Sequence, residues 1–108
     1  MGKSLTPAKA TEKIRGLAQD EHLSLYFTSH YRQRLEERQL INSDTLHLLS
    51  TGFVYEEGEP STVRGLWKYR VTGKTPNSNN RSVVIVVIPD FSDRSLKFVT
   101  IFWRDADQ

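Results

Sequence analysis

Cysteine is absent from the 108 residues, which excludes disulfide staples and zinc held by thiolates. Histidine is scarce: the three present are scattered, with no tight cluster of His, Asp and Glu. No structural metal site is therefore expected. The chain also lacks a glycine-rich phosphate loop, a nucleophile elbow and zinc-type ligand spacing, so no cofactor is expected. The longest strictly apolar run is 83–88, far too short to span a bilayer. The N-terminus has no apolar stretch of the secretory type, and a cytoplasmic protein without a membrane partner is expected. Met1-Gly2 with Thr6 matches the template for N-myristoylation, but that template is loose and acylation is not expected. Acidic residues are missing from one long stretch. Between Pro60 and Pro89 there is none, while Arg64, Lys68, Arg70, Lys74 and Arg81 are all basic. The carboxylates gather elsewhere, notably at Glu56, Glu57 and Glu59. A basic half-sheet beside an acidic turn suits an anionic partner, although a solvated face would look the same.

The remaining composition is that of a globular protein, with 37% hydrophobic and 26% charged residues. A single domain over 1–108 is expected. Thr6-Pro7 reads as an N-cap followed by proline at the first helical position, and Ala10, Ile14, Leu17 and Ala18 recur at helical spacing. Gly16 weakens that helix, so residues 1–22 are expected to dock loosely on a core of 23–104. A short strand at 23–28 follows, then a helix from Thr28 or Ser29 to about Gln39, with Tyr31 and Leu35 inward. Ser43-Asp44 should cap a third helix, carried by Leu46 and Leu49 and ended by Gly52 at the position after the cap. Strands are then expected at 53–57, 66–72, 82–88 and 96–103, joined by a mobile hairpin loop at 76–80 and a tighter turn at 89–93. The fold class is α+β: N-terminal helices packed on one antiparallel sheet of four to five strands.

The second helix carries the sharpest chemical signal. His30, Arg34 and Arg38 lie four residues apart in turn, so each is rotated from the last by only about 40° and all share one side. Arg38 is also seven residues from Tyr31, on the inward stripe, where a guanidinium needs an anionic partner. That partner could be Glu56, Glu57 or Glu59, with Arg34 held by Glu37 along the helix. Alternatively, the two arginines line a cleft for phosphate with His30 at its rim. Alternation puts Arg64, Lys68, Arg70 and Thr72 on one side of the strand 66–72, and Trp67, Tyr69 and Val71 on the other. RNA cleavage without a metal requires a base for the 2′-hydroxyl, an acid for the leaving 5′-oxygen and cations around the phosphorus. Histidine suits the proton transfer, and Thr100 could donate to phosphate. Tyr69 is argued out by alternation. His22 and His47 read as surface residues, and Trp67, Phe98, Phe102 and Trp103 as core before base-stacking.

The segment Ser29-His30-Tyr31-x-x-Arg34-Leu35-x-x-Arg38, followed by Leu40-Ile41-x-Ser43-Asp44, resembles a bacterial family catalogued as domain of unknown function 4258. By element order the resemblance covers roughly 23–103; its specific part is 30–41. That family looks related to the RelE-like and barnase-like ribonuclease toxins. The resemblance thus implies an open sheet with helices packed on it and a site at His30, Arg34 and Arg38, completed by basic and hydroxyl residues from strands. Together with the strand pattern, this leads to the expectation that Arg64, Lys68, Arg70 and Thr100 contact substrate, with RNA as substrate and a neutralising antitoxin or immunity protein as partner. The chain departs from the pattern at Tyr31, where alanine is usual and where a larger side chain would narrow access to His30, and in the length of the loop 76–80. The expected function is a metal-independent, growth-inhibiting endoribonuclease. A non-catalytic RNA-binding or protein-interaction module on the same fold is the alternative.

Overall fold

A computed structural model describes residues 4–105; the Met1-Gly2 acylation pattern lies outside them. Three helices and six strands follow the order α1 (Pro7–Ala18), β1 (Ser24–Phe27), α2 (Ser29–Glu37), α3 (Asn42–Thr51), β2 (Phe53–Val54), β3 (Glu59–Pro60), β4 (Trp67–Gly73), β5 (Val83–Asp90) and β6 (Ser95–Trp103). The class is α+β. The sheet runs β1-β6-β5-β4-β2, with β3 paired to β4 off that path.

The short loops do join antiparallel neighbours, β4 to β5 and β5 to β6. Two features exceed the sequence expectation. β3 is a two-residue strand opposite Lys68 and Trp67, too short to leave an alternating pattern. β1 pairs parallel with β6, Ser24 against Ser95 through Phe27 against Phe98. Two helices and the whole β-meander lie between those strands, so no short turn forces an antiparallel approach.

The core occupies one face of the sheet. Tyr69, Val71, Val83, Ile85 and Ile101 meet Ala10, Ile14 and Leu17 of α1 and Leu48 and Leu49 of α3. Thr6 and Pro7 start α1 as the sequence predicts, the Thr6 hydroxyl accepting from Lys9 N–H at 3.3 Å. Arg15 of α1 donates to the carbonyls of Thr51 and Gly52 at 3.0 and 2.9 Å, so the helix is tied to the end of α3. Val86, on the opposite face of β5, aligns with Arg70 of β4 and Thr100 of β6. No helix among the described residues is long and apolar enough to cross a membrane.

Five local expectations need correction. α3 begins at Asn42, because Asp44 acts from its third position, accepting the Ile41 N–H at 2.9 Å. Leu48 joins Leu49 in the core, whereas Leu46 is 43% exposed: the helix is phased about its Thr45, Leu48 and Leu49 side. Gly52 is not left-handed but extended, at φ −78° and ψ 174°. Glycine is needed there for space, since a Cβ would lie 2.7 Å from both the Leu48 carbonyl oxygen and Val71 Cγ1. The loop 76–80 is anchored rather than loose. Asn77 donates its N–H and side-chain amide to the buried Asp44 carboxylate at 3.0 and 3.1 Å, and Ser78 is itself buried. At the next turn, Pro89 and Asp90 still belong to β5. Pro89 lies past the last β4 partner of that strand, so its missing N–H removes no ladder bond on that side.

Candidate functional site

The first turn of α2 is fixed to the sheet by one residue. The Thr28 hydroxyl accepts from Tyr31 N–H at 3.0 Å and donates to the Phe98 carbonyl at 3.0 Å. Behind it the Tyr31 ring is fully buried, 5.2 Å from Phe98 and 5.7 Å from Phe27, with its hydroxyl on Thr45. Burial pushes the Tyr31 hydroxyl far above its ordinary pKa. Tyr31 therefore fills the core and does not narrow access to His30, which sits next to it but points outward, exposed.

Across from α2, β6 carries a bulge. Val86 faces Thr100 and Val87 faces Phe98, leaving Val99 as the extra residue. Leu96 and Phe98 before the bulge, and Ile101 after it, all face the core, so the strand changes parity there. Val99 and Thr100 both reach the wall of one cavity as a result, in keeping with the tendency of bulges to re-aim side chains beside sites.

That cavity, about 530 Å³, is walled by α2, β4, β6 and the segment leading into β3. His30, Arg34 and Arg38 enter it from α2, Lys68 and Arg70 from β4, and Thr100 from β6. Six of the seven residues singled out in the sequence thus meet in one place. Arg64 does not: it lies in the exposed turn before β4, where strand alternation no longer applies. Tyr69 faces the other way, buried, with its hydroxyl accepting Leu5 N–H at 2.8 Å.

Three carboxylates missed as site residues also line the cavity: Glu56, Glu57 and Glu59. Their clustering was visible in sequence, but their position depends on the β3–β4 pairing, which puts Glu59 opposite Lys68. The nearest ion pair they make is Glu56 with Arg70 at 3.9 Å. The sequence offered these glutamates to Arg38, yet Arg38 and Arg34 both turn to Glu37, at 3.5 and 2.8 Å. The Arg34 hydrogen bond, then that from Gln33, holds the Glu37 carboxyl below the usual range. Arg38 is more enclosed than Arg34 or Arg70, its side chain 23% exposed against 40% and 49%. Its Nε is buried and has no hydrogen-bond partner among the described residues.

Chemically, the arrangement offers four cations, one imidazole, one hydroxyl and several carboxylates around a space in the size range of small-molecule sites. Among the described residues no group of three His, Cys, Asp or Glu side chains is disposed to hold a metal ion. No curated protein and no solved structure matches the chain. The family model described as Domain of unknown function (DUF4258) matches residues 27–103, from the end of β1 to the end of β6. The chain belongs to that family.

Proposed function

We propose that this protein is a metal-independent endoribonuclease of the growth-inhibiting toxin type, related in architecture to the RelE-like and barnase-like enzymes. It would act in the cytoplasm and be restrained by a neutralising antitoxin or immunity protein. One observation carries the reading: Arg38, the innermost guanidinium of α2, lines one cavity together with His30, Arg34, Lys68, Arg70 and Thr100. Four cations converging on one space call for an anion, and a phosphodiester would supply acceptor oxygens with the charge to match.

In this reading the 2′-hydroxyl attacks phosphorus as its proton passes to a base, and the 5′-oxygen leaves as it gains a proton. A 2′,3′-cyclic phosphate and a 5′-hydroxyl result. His30 serves one of these transfers, and a cavity glutamate, Glu56 or Glu59, is available for the other. The arginines and Lys68 neutralise charge building on the phosphoryl oxygens, and the Thr100 hydroxyl donates to one of them.

A second reading has support of its own. Glu37 already occupies Arg34, and three more carboxylates temper the cavity, so the site could bind RNA without cleaving it. Incubating purified protein with a generic RNA in EDTA separates the two. The nuclease reading expects cyclic-phosphate ends, and His30→Ala should slow cleavage by about 10²–10⁴-fold. A His30→Ala variant that cleaves like wild type removes His30 from the mechanism. RNA bound but left whole by the wild type favours the binding module.

A further inference from the structure

The cavity does not end at Arg70. A second hollow adjoins it and shares Glu56, Arg70 and Phe102, adding Tyr55, Thr72 and Arg104. Strand register places Arg70, Thr72 and Phe102 on the face opposite the core. Arg70 aligns with Val86, Thr72 with Val84, and Val84 with Phe102. Phe53 of β2 aligns with Thr72, so it stands on the same face, and Tyr55 lies two residues beyond it. Their rings are 6.1 Å apart.

These aromatics are not core residues that happen to show an edge. Phe53 is 49% and Tyr55 60% exposed, while Val54 between them is buried. Each has an arginine against its ring: Arg15 lies 4.5 Å from the Phe53 centroid, and Arg104 5.8 Å from that of Tyr55. Arg15 is held in place by its bonds to the Thr51 and Gly52 carbonyls. Exposed aromatics interleaved with arginines on a sheet face form the kind of surface on which unpaired bases stack while the backbone phosphates meet cations. Phe53, on β2, lies three strands from β6, a distance of about 14 Å at ordinary strand spacing, within reach of a few nucleotides.

We infer that Phe53, Tyr55 and Phe102, with Arg15, Arg70 and Arg104, form a base-stacking subsite for single-stranded RNA running out of the His30 cavity. The inference rests on the proposed RNA substrate but not on cleavage. Bases flanking the scissile phosphate stack on Tyr55 and Phe53, Arg70 and Arg104 meet the connecting phosphates, and base identity matters little because every base presents a π-face. The subsite accepts unpaired strands and rejects duplexes, whose bases are already stacked.

A labelled 2′-O-methyl oligouridylate tests this, since it has no free 2′-hydroxyl and its binding is read apart from turnover. Fluorescence polarisation would compare wild type, Phe53→Ala, Tyr55→Ala and Tyr55→Trp. An abasic chain of equal length serves as a second probe. Both ring-removed positions are exposed, and circular dichroism verifies that the variants fold. Each alanine variant should bind the oligouridylate at least about fivefold more weakly, and Tyr55→Trp should bind at least as well as wild type. The abasic chain should bind weakly and respond to none of the substitutions. The inference is overturned if the alanine variants bind like wild type, or if the abasic chain binds as tightly as the oligouridylate. It also falls if wild type binds neither probe and the two aromatics are needed instead to hold a protein partner. Base-dependent binding by a wild type that cleaves no RNA would uphold the platform and end the nuclease reading. Cleavage with no role for either ring would do the reverse.

Discussion

The carboxylate of Asp44 joins two distant parts of the chain: one oxygen accepts the N–H of Ile41, starting α3, and the other accepts the N–H of Asn77 in the β4–β5 loop. Asp44 is 1% exposed. Burial alone would raise its pKa, but the hydrogen bonds from Ile41 and Asn77 outweigh it and the net shift is downward. The sign follows directly. A carboxylate whose pKa is lower in the folded chain stabilises the fold above its unfolded pKa of about 3.9, and that stability is lost as pH falls through the folded value.

Asp44→Ala should therefore destabilise the protein by about 3 kcal/mol at neutral pH, combining a lost helix cap with unpaired buried donors. Urea unfolding measures this. The difference between wild type and variant should shrink below pH 4; a difference independent of pH would show that the charge is not what matters.

Two glycines should respond oppositely to the same substitution. Gly52→Ala drives a Cβ into the Leu48 carbonyl and Val71, and overpacking of that kind costs about 1–3 kcal/mol. Gly16→Ala, exposed within α1 and with nothing within 4 Å of the added carbon, should stabilise by about 0.5–1 kcal/mol. Thermal or urea melts of the pair decide this; equal effects would contradict the packing around Gly52.

What the sequence made legible follows from periodicity. Helical spacing alone grouped His30, Arg34 and Arg38, and strand alternation separated Lys68 and Arg70 from Tyr69; both rules act within one element. The β6 bulge was also written there, since the core-facing positions pass from Leu96 and Phe98 to Ile101 and Trp103, an even-to-odd change that a single strand pattern hid. Contacts between distant segments left no such trace. Nothing local marks Asp44 as the partner of Asn77, or Glu59 as the neighbour of Lys68. Arg64 falls outside the alternation because the residues before β4 form a turn. Phe53 and Tyr55 read as ordinary strand residues until the sheet order showed which face stays uncovered.

Cavity cations and loop cations should differ in the salt dependence of binding. Each phosphate contact to a single strand contributes a slope of about 0.7 in log affinity against log salt. Lys68→Ala should lower the slope by about that amount, whereas Arg64→Ala, outside the cavity, should leave it unchanged. Titrations of a labelled oligonucleotide across a salt series measure both. An Arg64 effect equal to that of Lys68 would move the RNA path off the cavity.

If the cavity takes RNA as proposed, Glu37 competes with it for the same arginines. Its Oε1 lies 2.8 Å from Arg34 and 3.5 Å from Arg38, and a phosphate engaging both guanidiniums must displace it or share them. Glu37→Gln retains a hydrogen-bond acceptor of similar shape but removes the charge, so it should tighten oligonucleotide binding severalfold at low salt. Because the Arg34 bond holds the Glu37 carboxyl below the usual range, the wild-type site keeps this competitor charged through neutral and mildly acidic pH. Only below the ordinary glutamate pKa of about 4.3 does protonation release the arginines. Wild-type affinity should then rise toward that of Glu37→Gln, which lacks this part of the pH response. Comparing the two proteins across that range with one probe isolates the contribution of Glu37 from those of Glu56, Glu57 and Glu59, which both proteins carry. Identical curves would mean that Arg34 and Arg38 meet the backbone without giving up Glu37, placing the phosphate nearer Lys68 and Arg70.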